Sequence, residues 1–145
     1  MNQSLLRLIA VGFGALVLLQ SLLGVVVLYL NIGILPSEIE LYYATKSFHG
    51  LIEVILPHTL FIAIALMVLI HFLAFMQSIS QKTKEWQMHS LFTLFILDQG
   101  SPFLIAQGYE IFAYVKLGSF LGFEVLLVWV WLGMFRGVIL NKGKY

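Results

Sequence analysis

Long apolar runs separated by short polar stretches set the pattern of this chain. The first runs from Leu5 to Leu30 and is interrupted only by Gln20 and Ser21. It predicts a helix over about 5–30, long enough at about 1.5 Å per residue to cross ~30 Å of hydrocarbon. This run is too long for a signal-peptide core and lacks an Ala-x-Ala site, so it reads as a mature transmembrane helix. Three further runs predict spans over about 51–75, 88–107 and 118–140. Between the first two, Pro36 breaks the helix, and Ser37 followed by Glu40 has capping-box spacing. That predicts an interfacial helix over about 37–49, with Tyr42, Tyr43 and Phe48 as an aromatic belt. The whole is read as one all-α domain over 1–145, an integral membrane four-helix bundle.

Periodicity distinguishes the faces of these helices. On the first, Ala10, Gly14, Ser21 and Gly24 fall in a strip ~80° wide at about 100° per residue. Such a strip lets a neighbouring helix or the edge of a flat ligand approach the backbone. On the fourth, Gly118, Gly122, Gly133 and Gly137 form two small-x-x-x-small repeats, and Glu124 points nearly the opposite way. The third span carries Asp98, Gln99, Gly100, Ser101 and Pro102 together near its middle. Proline cannot donate to the Asp98 carbonyl and a lipid-facing Asp is costly, which predicts an interrupted helix lining protein or water. The alternative is a kink at which Asp98 caps a new turn.

Composition narrows the class of activity. Of 145 residues 61% are hydrophobic and 10% charged, and the mean hydropathy is +0.98, values outside the range of soluble domains. No room is left for a soluble catalytic domain, no catalytic residue is assigned, and nothing suggests nucleic-acid binding. The absence of cysteine excludes disulfides, thiolate metal sites and covalently attached haem. Arg7, Lys82, Lys84, Arg136, Lys142 and Lys144 fall on one side of the predicted bundle, against Lys46 and Lys116 on the other. By the positive-inside rule both termini are expected in the cytoplasm, at a bacterial inner membrane.

The candidate chemistry lies with ionisable groups inside the spans, which are functional by default because lipid offers them no partner. His58 and His71 share the second span, but thirteen residues, about 220° of helix, put them on different faces. His71 pairs best with His89, on the next helix and on the same side of mid-membrane. Two such histidines can bracket a haem b iron as metal ligands. The strip around Gly14 would receive the porphyrin edge, and Lys82, Lys84 or Arg136 would meet its propionates. Towards the outer side, His58 with Glu53 or Glu124 is the candidate quinone or proton site, because histidine beside a carboxylate exchanges protons near neutral pH. Asp98, between the two levels, belongs to the same candidate quinone or proton set.

The stretch PHTLFIAIALMVLIHFL, Pro57 to Leu73, resembles the small membrane b-type cytochromes, helical bundles that pass electrons between quinones and partner proteins. In those bundles two histidines on one helix serve two stacked haems, each completed by a histidine from another helix. Here His89 is the one further intramembrane histidine, so the resemblance implies a single haem or none. The function expected is that of a membrane electron-transfer subunit binding haem b, with quinone as a further ligand, in the lipid bilayer as a homo-oligomer or within a redox complex. The rival readings are a transport component for a proton, ion or small solute, and a cofactor-free structural subunit.

Overall fold

The computed structural model describes residues 3–76 and 79–140; Lys142 and Lys144 of the charge count lie outside them. Five helices follow one another: α1 (Gln3–Val27), α2 (Pro36–Ala44), α3 (Phe48–Phe75), α4 (Gln81–Ile105) and α5 (Ile111–Leu140). No strand occurs among the described residues. A single π-helical turn, Leu28–Ile32, prolongs α1. It stops at Gly33, where φ is +99° and a β-carbon would stand 2.4 Å from Glu38 Oε2, so glycine is required on both counts.

Local chemistry moves several predicted boundaries. α2 begins at Pro36, not Ser37, because proline at the first helical position gives up a hydrogen bond the helix never makes. Glu38, not Glu40, then reaches back, its Oε2 accepting from the backbone N–H of Ile34 and Leu35 at 3.0 Å each. The short helix ends at Ala44 and does not run on to 49. α3 starts afresh at Phe48, where Ser47 Oγ accepts from the Gly50 N–H at 3.2 Å. Ser80 caps α4 in the same way through the Thr83 N–H, which starts that helix seven residues before the expected 88.

Among the described residues three helices, not four, are long and apolar enough to cross a membrane by composition: Val11–Ile32, Phe48–Phe75 and Ile111–Gly137. α4 falls short because Lys84, Gln87, Asp98 and Ser101 sit on it, yet all four are buried. Its Phe92, Ile96 and Leu97 face outwards instead. The helix is also continuous through Asp98–Pro102, so the predicted interruption is absent.

α5 is the hub, packing on α1, α2 and most extensively on α4. α1 lies antiparallel to it, Gly14 meeting Trp131 and Gly24 meeting Phe120 and Glu124. Gly122 of the glycine face turns to α4, where a β-carbon would stand 3.3 Å from Leu94 Cδ2, whereas Gly118 faces open space. Two apolar cores result. One joins Leu66, Leu69 and Leu73 of α3 to Leu91 of α4 and Leu127 and Val130 of α5. The other gathers Ile39 and Tyr43 of α2 with Leu51, Ile55, Ile105 and Ala113. α3 is buried along a narrow stripe only, and its exposed Leu60, Phe61, Ile64 and Met67 make a hydrocarbon surface that lipid or another chain must cover.

Candidate functional site

Between the two cores runs a polar layer centred on Asp98. Pro102, four residues on, has no N–H to give the Asp98 carbonyl, and burial forbids water from replacing it. Lys116 of α5 does so. Its Nζ donates to the Asp98 carbonyl at 3.1 Å and to the carboxylate Oδ1 at 2.6 Å, with both side chains about nine-tenths buried. Gln99 Nε2 donates to the other carboxylate oxygen, and Thr59 Oγ1 of α3 donates to Gln99 Oε1 at 2.8 Å. Ser119 Oγ returns to the Lys116 carbonyl at 3.1 Å. Ser101 Oγ donates to the Leu97 carbonyl. The layer thus joins α3, α4 and α5, with every Asp98 oxygen occupied. Tyr43 of α2 is buried beside it: burial first, and the Asp98 charge second, push its phenol above the ordinary value.

The second buried carboxyl is left differently. Glu124 lies two turns beyond Lys116 on α5, facing the small-residue strip of α1. A β-carbon at Gly24 would stand 3.4 Å from its Oε1, so glycine is what brings the helices close. Ser21, one turn away and itself buried, stands beside the carboxyl. The Ser21 hydroxyl faces the Glu124 carboxyl, but in a geometry that completes no regular hydrogen bond at Glu124 Oε2 or Ser21 Oγ. Next to them a cavity of ≈ 190 Å³ opens between α1 and α3, floored by α5. Phe13, Val17, Phe61 and Phe123 make its walls apolar, and Gln20 and Glu124 are its polar groups.

The histidines lie elsewhere. His49 and Glu53 form an exposed pair, Nε2 to Oε1 3.2 Å, their side chains 84% and 67% accessible. His58 is exposed and its Nδ1 is 2.9 Å from the Val54 carbonyl, so Glu53, His58 and Glu124 do not gather into one cluster. His71 is exposed, its ring set edge-on to Phe75 at 4.9 Å, and His89 is exposed on α4. The reason is angular. His71 is two residues, about 200°, from both Leu69 and Leu73, and His89 stands in the same relation to Gln87 and Leu91. These neighbours are buried; the histidines therefore point away. Among the described residues no three His, Asp or Glu side chains gather into a metal site. The strip on α1 is also filled, since a β-carbon at Gly14 would lie 1.8 Å from the Trp131 indole nitrogen.

Three residues of consequence escaped sequence reasoning. Lys116, counted as an outer-loop charge, is 8% exposed. Its flanks, IFAYV before and LGSFLGF after, are the signal that it lies inside a span. Lys84, assigned to the loop, turns inwards and donates to the Ala74 carbonyl at 3.0 Å in the last turn of α3. Tyr43, read as a belt anchor, is core.

No curated protein and no solved structure matches the chain. A family model described as a transmembrane helical domain, Aq_1264_TM, matches residues 21–145. That match takes in the capped α2, the polar layer and Glu124, and the chain belongs to the Aq_1264_TM family of transmembrane helical domains.

Proposed function

We propose that this domain is a four-span subunit of a membrane electron-transfer system that receives a lipophilic quinone-type carrier between α1, α3 and α5. The observation that carries the reading is the Glu124 carboxyl, lining an otherwise apolar cavity with its hydrogen bonding incomplete. Buried polar atoms are nearly always paired, so an incompletely bonded carboxyl at a cavity wall has capacity for a water, an ion or a ligand group. A quinone supplies an apolar ring and tail for the phenylalanine-lined walls, and carbonyl oxygens that accept from the protonated Glu124 carboxyl and the Gln20 amide. Reduction of a quinone to a quinol takes up two electrons and two protons. A carboxyl at the carbonyl oxygen is suited to pass one of those protons, with the electrons coming from a redox partner.

In this reading α4 is the fourth span, its polar residues inside and its apolar ones towards lipid; with Lys84 and Lys116 inside the bundle, the remaining loop charges favour both termini on the cytoplasmic side of a bacterial inner membrane. Haem b is the less supported cofactor. His71 and His89 point away from the interior, so an iron held by either takes its second ligand from outside the bundle.

A photoreactive quinone analogue tests the proposal on the full chain in lipid vesicles. Labelling is expected on the α1 and α3 segments lining the cavity and should fall about tenfold, about 1.4 kcal/mol, in Glu124→Gln. Equal labelling of parent and variant would remove Glu124 from the reading. A Soret band in the purified protein, lost on His71→Ala, would return haem to first place.

A further inference from the structure

α4 is the helix least able to enter lipid by itself. It is absent from the set apolar enough to cross, it holds a carboxylate seven residues before its end at Ile105, and Pro102 leaves a carbonyl of its ladder unpaired. α5 answers each of these liabilities. The Lys116 ammonium covers the Asp98 carboxylate at 2.6 Å and the carbonyl freed by Pro102 at 3.1 Å with the same nitrogen. Gly122 admits Leu94 where a larger residue would crowd it. The turn between the helices is tight: Gly108, at φ +92°, donates to the Ile105 carbonyl at 2.9 Å, and Tyr109 donates to Leu104 at 3.1 Å. Among the described residues no other helix offers α4 a cation at Asp98; α3 contributes Thr59 through Gln99.

We infer that α4 and α5 enter the membrane as a preassembled hairpin, and that Lys116 is the group that admits α4. Once α5 is beside it, Asp98 crosses the lipid as half of a neutral, hydrogen-bonded pair. Without the lysine, α4 carries an uncompensated charge and an orphan carbonyl together, and remains on the face from which α3 delivers it. The inference rests on α4 being a fourth span, and the test separates the two.

The chain contains no cysteine, so single substitutions report topology directly. Gln81→Cys and Gln107→Cys replace exposed residues at the two ends of α4 and can be labelled with a membrane-impermeant maleimide in sealed vesicles of either orientation. In the parent chain the two positions should label from opposite faces. Introducing Lys116→Ala should cost Gln107→Cys its one-sided labelling and move it to the face of Gln81→Cys. The double change Asp98→Leu with Lys116→Leu should restore opposite-face labelling, because no charge then needs escort. Opposite-face labelling retained in full by Lys116→Ala would overturn the hairpin inference while leaving the fourth span intact. Same-face labelling in the parent would overturn the fourth span itself.

Discussion

Asp98 and Glu124 are both carboxylates brought inside the bundle, and the protein treats them in opposite ways. Asp98 is surrounded: a lysine and a glutamine give each carboxylate oxygen a partner, and a threonine from a third helix holds the glutamine. Glu124 is set against a glycine and a serine on α1, its hydrogen bonding incomplete at the edge of an apolar cavity. A closed network joins helices, because removing any member strands the others. An incompletely bonded carboxyl adds little to that joining, and in the proposed function it is the group that meets the ligand. The residue type is thus a poor guide to role inside a membrane; the number of partners is a better one.

The largest effect should come from breaking the closed site. Lys116→Ala leaves the Asp98 charge buried and alone, and unfolding in detergent should report a loss of about 3–5 kcal/mol. The apolar pair Asp98→Leu with Lys116→Leu should recover most of it, since well-packed apolar replacement of a buried ion pair is often neutral. Glu124→Gln, read in the same assay, should stay within about 1 kcal/mol of the parent; a loss matching that of Lys116→Ala would make the two carboxylates alike and end the contrast.

An intermediate effect is expected where α1 meets α5. Gly14→Val drives a side chain into the Trp131 indole, and overpacking of this kind should cost about 1–3 kcal/mol. Because the same helix pair sets Ser21 beside Glu124, quinone-analogue labelling should fall along with stability. If stability drops and labelling persists, the cavity does not depend on the α1–α5 contact.

The smallest effect is a pH dependence. Burial and the neighbouring Asp98 charge raise the Tyr43 phenol, so the folded chain holds this proton when the unfolded chain releases it near pH 10. Its contribution is therefore complete below about pH 10 and declines as pH rises further, by at most about 1.4 kcal/mol per unit. Tyr43→Phe should flatten that alkaline limb in a pH series of unfolding curves. An unchanged limb would place the phenol outside the influence of the closed layer.

Element existence was largely legible in the order of residues, and element chemistry was not. Apolar runs longer than a bilayer is thick announce α1, α3 and α5, and Pro36 with nearby glutamates announces α2. The third span was legible as a helix but misread as broken, because proline and glycine lower local helix propensity while the lysine that repairs the break lies on another helix, eighteen residues away. The histidines were singled out by type and depth, and their direction defeated the reading. A rotation of about 200° from the nearest core leucines turns His71 outwards, and the kind of residue it is says nothing of that.

Sequence by itself determined the solvent, the helical class and the short capped helix between the first two long ones, since each depends on local hydropathy, period and capping. Tertiary structure decided which buried acid is neutralised and which is left open. That decision depends on Lys116 lying against α4 and on Gly24 and Ser21 lying against α5, contacts between segments that no local pattern encodes. The physical reason is that a charge in a low-dielectric interior takes its properties from whichever groups stand within a few ångströms.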